Sequence, residues 1–337
     1  MICRALVVGL GSIGARHLRL LREALPEAEI MVLRHSDCDE PIPFADGCTT
    51  HLEEACAFSP QVAIIASPAP FHLETAQALA ACGTHLLIEK PLAVSSKGVA
   101  AFLADCATLG VLVQVGYNLR WLETLQRFRS ELHAGRIGDV QAVHCEIGQY
   151  LPGWRPGSDY RQTVSARREL GGGVLLELSH ELDMLRWVFG EVDWIGGWIG
   201  RLGKLEIDVE DCAHLNLGFA GGCVGSLGMD FLRQNTTRCC TAIAEAGSLR
   251  WDAVAGEVSL FMPEIGHWQV LMQQTSHRDD SYRTQITRFL DAVANGRIDT
   301  LAATGEDGLA VLYMIEAARQ SAEDNGRRCR ISKGAKV

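Results

Sequence analysis

Lys90 ends an apolar run, Leu86-Leu87-Ile88-Glu89-Lys90-Pro91, and Glu177, His180 and Asp183 recur at short intervals ninety residues later. A lysine fixed at the end of a buried strand puts a permanent cation where an alkoxide could form, which lowers the cost of that charge. It would also depress the pKa of a neighbouring acid or base. Histidine, with an unperturbed pKa of about 6.5, can accept a hydroxyl proton near neutrality. Together these groups suit oxidation of a secondary alcohol: the hydroxyl proton goes to His180 and the carbinol hydride to an acceptor. Asp183 would orient the imidazole or bind a substrate hydroxyl. The alternatives are a solvated lysine on an αβ loop and a hydrogen-bonded core histidine.

The element carrying the histidine reads as one helix. At roughly 100° per residue, Leu175, Leu178, Leu182, Leu185 and Phe189 form one stripe, with His180 almost opposite. Glu177 and Asp183 fall about 60° to either side of His180. Leu176, Met184 and Trp187 share that face, so it is expected to look onto an enclosed cleft. Gly171, Gly172 and Gly173 just before it would let the backbone pass close to a ligand and turn the helix N-terminus toward it.

The hydride acceptor is legible in the first third. A short apolar run leads into Gly9-Leu10-Gly11-Ser12-Ile13-Gly14, after which Ile13, Leu18, Leu21 and Leu25 recur near helical spacing. Strand, glycine turn and helix are the context a G-x-G-x-x-G motif requires. Gly9 makes the turn, Gly11 admits a pyrophosphate, and Gly14 packs helix on strand. The helix N-terminus at Ser12 and Ile13 attracts the anion. The second strand ends Arg34-His35-Ser36, a cation and a hydroxyl that suit a 2′-phosphate, so NADP is favoured over NAD. The alternative is that Asp37 reads an unphosphorylated ribose.

Runs 62–66 and 86–88 read as buried parallel strands, with Leu73, Ala76, Leu79 and Ala80 inward on the helix between them. Ser67-Pro68, with His72 close behind, ends the first strand and Glu89-Lys90-Pro91 the second, at the carboxyl edge where such sheets hold ligands. "VLVQVGYNLRW" closes this region with Tyr117, Asn118 and Arg120. Asn118 could bond a carboxamide or ribose and Arg120 clamp an anionic substrate; either could instead be a structural tie.

The glycine fingerprint, Ser67-Pro68-x-Pro70-x-His72, Glu89-Lys90-Pro91 and the later Gly-Gly-Gly…His-x-x-Asp together resemble the Gfo/Idh/MocA family, the glucose–fructose oxidoreductase and inositol dehydrogenase group. The likeness runs on through "GYNLRWLETLQRFRSELHAGRIGDV" and "SYRTQITRFLDAVANG", covering nearly the whole chain. The resemblance implies an α/β protein, with an N-terminal Rossmann parallel sheet and a C-terminal α+β domain built on a large open antiparallel sheet. It implies NAD(P)-dependent hydride transfer at a secondary hydroxyl or keto group of a sugar, sugar acid or nucleotide sugar. Lys90 would contact the substrate hydroxyl or the nicotinamide ribose, beside the cofactor residues Gly9 to Gly14, Ser67, Pro68, His72 and Glu89. It supports His180 and Asp183 as catalytic, and a homodimer or homotetramer joined through the C-terminal sheet. Glu177 departs from the pattern: the family usually places an acid or amide four residues before the histidine, where this chain has Leu176. The reaction requires that Lys90 and His180 reach one bound pyridine ring. A non-catalytic dinucleotide sensor and a nicotinamide-assisted lyase or glycosidase with no net redox change are the competing functions.

Residues 1–121 are expected to form the NAD(P)-binding domain and 122–337 the substrate-binding and dimerisation domain. In the second, strand-like segments from "DVQAVHCEIGQYL" to "EVSLFM" follow one another without helices, which argues an antiparallel sheet. Between strand and catalytic helix lies a long loop with Trp154, Arg155, Tyr160, Arg161, Arg167 and Arg168. Aromatics there could stack on sugar faces, and arginines bind carboxylate or diphosphate. Helices near 281–295 and 304–324 end the chain, the latter packing back on the first domain.

Composition narrows the partners. Among 337 residues, 47% are hydrophobic and 21% charged, an ordinary globular balance. The net charge, 31 − 41 = −10, argues against nucleic acid or an anionic membrane surface. No apolar run is long enough to span a bilayer, and a cytoplasmic location is the default. The 12 cysteines are scattered without a CxxC pair, so reduced thiols and no metal site are expected.

Overall fold

The computed structural model describes residues 2–36, 38, 40–275 and 277–331; Asp37, the alternative ribose reader, lies outside the described residues. The chain divides into two compact units, residues 1–118 with 278–312 and residues 119–277 with 313–337.

The first unit is a doubly wound sheet. Its strands are β1 (Arg4–Val8), β2 (Glu29–Leu33), β3 (Gly47–Thr49), β4 (Val62–Ile65), β5 (His85–Ile88) and β6 (Val113–Val115), with α1 (Ser12–Ala24), α2 (Leu52–Ala57), α3 (His72–Ala81) and α4 (Val99–Leu109) between them. All pairings are parallel and the order is β3-β2-β1-β4-β5-β6. Strands covered on both faces read as continuous apolar runs, as Ala5 to Val8 and Val62 to Ile65 do. Strand order reverses between β1 and β4, and the crevice beyond their carboxyl ends is where such sheets bind ligands. The helix α8 (Asp280–Asn295) belongs to this unit because Ile286, Phe289 and Leu290 share a core with Leu18 and Leu21 of α1. That is why 278–312 leaves the segment 122–337 to which the sequence assigns it. Cys38 and Cys48 are joined in a disulfide, against the expectation of thiols throughout.

The second unit is organised by nine strands in the order β14-β13-β12-β11-β7-β10-β9-β8-β15. These are β7 (Val140–Gly148), β8 (Val192–Gly200), β9 (Cys212–Phe219), β10 (Val224–Asp230), β11 (Thr237–Ala244), β12 (Ser248–Asp252), β13 (Glu257–Phe261), β14 (Trp268–Gln273) and β15 (Cys329–Arg330). Pairing is antiparallel except for β7 with β10, which run parallel. The helix α5 (Glu123–His133) packs on β12 to β14, where the Trp251 indole donates to Thr124 Oγ1 at 3.1 Å. Two shorter helices, α6 (Val174–Glu177) and α7 (His180–Phe189), carry the candidate acids and histidine. The last helix, α9 (Gly305–Glu323), begins in the first unit and ends in the second. Among the described residues no helix is long and apolar enough to cross a membrane.

Candidate functional site

In the first unit, the glycine turn closes tightly on its neighbours. Gly9 has φ +85°, its N–H donates to Leu33 O at 2.8 Å, and a Cβ there would stand 2.8 Å from the Ser67 backbone. A Cβ on Gly14 would lie 2.1 Å from Gly9 O, so only glycine lets α1 sit on the turn. Gly11 differs: nothing lies within 4 Å of its Cβ direction, and this N-cap carries no side-chain hydrogen bond. Ser12, Ile13 and Gly14 open α1, where N–H groups lack intrahelical acceptors, and Gly11 leaves room beside them, which fits a dinucleotide pyrophosphate. Gly14→Ala is expected to cost about 1–3 kcal/mol of stability through overpacking and to abolish detectable NADH binding. Urea denaturation and NADH fluorescence titration check the two effects.

At the end of β2, Arg34 Nε donates to Ser36 Oγ at 2.8 Å and the Arg34 N–H to Thr49 O at 3.0 Å, while His35 is exposed. Ser67 Oγ, at the end of β4, is buried and makes no hydrogen bond among the described residues; Pro68 beside it is half-buried. His72 is 1% exposed, with Nε2 2.7 Å from Ser67 O and Nδ1 3.0 Å from Pro91 O. Both ring nitrogens face backbone carbonyls, and a neutral ring donates to one of them, which turns the expected cofactor contact into an internal tie. Burial pulls its pKa below the ordinary histidine value, and the carbonyls and the Glu89 charge only partly counter that.

Glu89 is buried and accepts from His17 Nε2 at 2.6 Å and from the Lys90 N–H at 3.1 Å. Burial pushes this carboxyl up, but the His17 hydrogen bond and the His17 and Lys90 charges hold it, on balance, below the usual range. Lys90 is half-buried and joined to Pro91 by a cis peptide bond. Tyr117 is 1% exposed, and Asn118 Nδ2 donates to Ser281 Oγ at 2.8 Å, a tie to α8.

In the second unit, the expected single helix is broken. α6 ends at Glu177, Leu178 and Ser179 turn the chain with i→i−3 bonding (Glu181 N–H to Leu178 O, 3.2 Å), and His180 begins α7. The continuous wheel phasing of Glu177 against His180 therefore does not hold. The triple glycine also has another cause. A Cβ on Gly172 would lie 2.4 Å from Val164 O, and one on Gly173, at φ +105°, 2.4 Å from Glu210 Oε1. The chain's own loop and acid, not a ligand, demand these glycines. Glu210 also caps α6, its carbonyl accepting from Val174 and its carboxylate from Leu175.

His180 is 9% exposed at the start of α7. Glu177 accepts from Ser165 Oγ at 2.9 Å. Asp183 receives Arg120 through Nε at 2.9 Å and Nη2 at 2.5 Å, with side chains 1% and 3% exposed. This employs the guanidinium that the sequence offered to an anionic substrate; its face also lies 5.6 Å from the Trp187 ring centroid. Glu181, fully buried, pairs with Arg238 Nε on β11 at 2.7 Å. So two carboxylates of α7 are each held by an arginine from elsewhere in the unit.

The long loop folds into short 3₁₀ turns, and Leu151, Trp154, Arg155, Ser158, Tyr160 and Ser165 line a small open depression on it. Trp154 is docked inward, its indole donating to Gln149 O at 3.0 Å and meeting Phe231 edge-on at 5.2 Å. The Tyr160 hydroxyl accepts from the Glu206 N–H at 3.2 Å. Arg161 pairs with Asp159 and Glu206, Arg167 with Glu169, and Arg168 bonds Asp208 O at 3.1 Å. Arg155 is exposed and makes no ion pair among the described residues.

Sequence reasoning missed His17, Glu181, Arg238 and Glu210. His17 carried a signal: three residues after Gly14, it falls on the inward face of α1. Glu181, Arg238 and Glu210 carried none, since their partners are distant in sequence.

Two family models match the chain: an oxidoreductase family with an NAD-binding Rossmann fold over residues 3–117, and a GFO/IDH/MocA C-terminal domain over residues 125–250. The inositol 2-dehydrogenase of Streptomyces avermitilis is 25% identical over 353 residues, spanning 96% of this chain and 92% of that protein. The enzyme of the same name from Pseudomonas fluorescens is 26% identical, spanning 92% and 91%. Among solved structures, a levoglucosan dehydrogenase in complex with NADH and L-sorbose superposes with a TM-score of 0.86 at 18% identity, covering 98% of this chain and 99% of that one. The WlbA dehydrogenase of Bordetella pertussis, solved with NADH and UDP-GlcNAcA, gives 0.80 at 22%, covering 99% and 100%. Parallel sheet, glycine turn, Glu-Lys-Pro corner and open second sheet thus recur together with both halves of one family's sequence pattern, and the chain belongs to the Gfo/Idh/MocA oxidoreductases.

Proposed function

We propose that this NAD(P)-dependent dehydrogenase oxidises or reduces a secondary hydroxyl or keto group of a sugar, sugar acid or nucleotide sugar. The observation that carries this is Lys90 at the carboxyl end of β5, held by Glu89 beside the switch point that Gly9 and Ser67 close. A bound nicotinamide supplies the hydride acceptor or donor. His180 takes the hydroxyl proton in the oxidising direction, and Lys90 steadies the negative charge left on the substrate oxygen. Asp183 and Arg120 hold the helix that carries His180. Arg155 reads an anionic group on the substrate, which favours a sugar acid or nucleotide sugar over a neutral polyol.

The test is cofactor reduction by the purified protein against neutral sugars, sugar acids and nucleotide sugars. NADH binding without turnover on any of them favours the sensor; product formation without net reduction favours the borrowed-hydride lyase or glycosidase.

NADP is the favoured cofactor, on the strength of Arg34 and Ser36 at the end of β2. Hydrogen bonds to charged groups contribute about 1.5–3 kcal/mol. Arg34→Ala should therefore lower kcat/KM for NADP by about 10- to 100-fold while changing that for NAD by about twofold or less. Equal losses with both cofactors would place the arginine elsewhere.

A homo-oligomer forms through the outer face of the second sheet. Gly196, Asn216, Ser226, His144, Thr241 and Arg250 stand in register across six strands, a small and polar row beside exposed Val224, Ile243 and Trp268. Light scattering reads the mass directly. A cytoplasmic setting accords with ten free cysteines among the described residues, and the Cys38–Cys48 bond runs against it.

A further inference from the structure

Three residues, Glu89, Lys90 and Pro91, are gripped from two sides by buried histidines. From α1, fully buried His17 donates through Nε2 to Glu89 Oε1 at 2.6 Å, and Glu89 Oε2 accepts the Lys90 N–H at 3.1 Å. From α3, His72 stands with Nδ1 3.0 Å from Pro91 O and Nε2 2.7 Å from Ser67 O, a neutral ring donating to one carbonyl and packing against the other. The room for this carboxylate depends on Gly116, where a Cβ would lie 3.0 Å from Glu89 Cδ. The His17 ring is held edge-on by Tyr282 of α8, 5.7 Å between centroids.

We propose that His17 and His72 are positioning residues that clamp Glu89-Lys90-Pro91 and thereby set where the Lys90 ammonium stands. Neither histidine touches substrate. His17 lies on the helix whose N-terminus faces the pyrophosphate site, and His72 spans the carboxyl ends of β4 and β5. The lysine is thus tied through side chains to both walls of the dinucleotide crevice in this unit. Removing a tie leaves the cation present but free to wander, and a displacement of about 1 Å can cost about 100-fold in rate.

The inference rests on the oxidoreductase reading for its kinetic consequence, but the position of Lys90 can be measured without it. The sequence has five lysines, Lys90, Lys97, Lys204, Lys333 and Lys336, so reductive ¹³C-methylation gives a sparse spectrum in which Lys90→Arg identifies the Lys90 signal. In the full chain, His17→Leu and His72→Ala are expected to move that signal. Each should lower kcat by about tenfold or more, with NADH affinity changed less than about threefold. His17→Gln, which keeps a donor where Nε2 stood, should restore most of both. On a Lys90→Ala background, adding His72→Ala should cost less than about threefold, because positioning an absent group has no effect.

An unmoved Lys90 signal, or losses that multiply in the double variant, overturns the clamp. Should His72→Ala fail to fold, His72→Gln carries the same comparison. If Lys90→Ala retains full turnover, the reaction assignment fails, while the methyl signal still decides the clamp.

Discussion

Replacing His180 by alanine is expected to lower kcat by about 10² to 10⁴-fold, the range general acid–base catalysis contributes. NADH affinity should stay within about threefold, because the glycine turn and Lys90 belong to the other unit. Imidazole is the proton acceptor suited to neutral pH, and this one stands at the first turn of α7 with 9% of its surface exposed. The neighbouring Glu181 is fully buried and paired with Arg238, so the helix start is fixed rather than frayed. His180→Asn keeps a polar group without the base and should be nearly as slow. The limb of the kcat–pH profile that reports the base should vanish in both variants. Turnover near the parent value in either one would remove His180 from the reaction and leave Lys90 without a proton acceptor.

The parts legible in the sequence are those whose causes are local. Gly9, Gly11 and Gly14 mark a turn and a close approach within six residues, and strand β5 followed by Glu89-Lys90-Pro91 announces an edge. The parts that were not legible depend on partners far along the chain. Gly172 and Gly173 look like a ligand's clearance until Val164 O and Glu210 are seen to fill it. Arg120 looks like a free anion clamp because Asp183 is 63 residues away. The break at Leu178 and Ser179 is invisible to periodicity, since leucines at helical spacing continue across it. His72 shows another limit: a histidine beside a ligand edge reads as a contact, whereas here the ring is enclosed between two backbone carbonyls.

The pair Arg120–Asp183 should be worth the most to stability. With side chains 3% and 1% exposed and two hydrogen bonds between them, neither ion has water to fall back on. Arg120→Met removes the cation and leaves a buried carboxylate, which costs about 3–5 kcal/mol. Asp183→Leu strands the guanidinium, at a similar cost. The double variant Arg120→Met with Asp183→Leu removes both charges, and buried pairs replaced by apolar groups of similar volume are often neutral or better. Its urea midpoint is therefore expected to return near the parent value. Both residues lie in the second unit, so if the units unfold separately the loss appears in one transition only. Turnover decides what Asp183 does besides. Because Arg120 engages both of its oxygens, the double variant should also regain kcat to within about tenfold. A double variant that is stable yet as slow as Asp183→Leu would instead place this carboxylate against the reacting atoms, as the family resemblance implies.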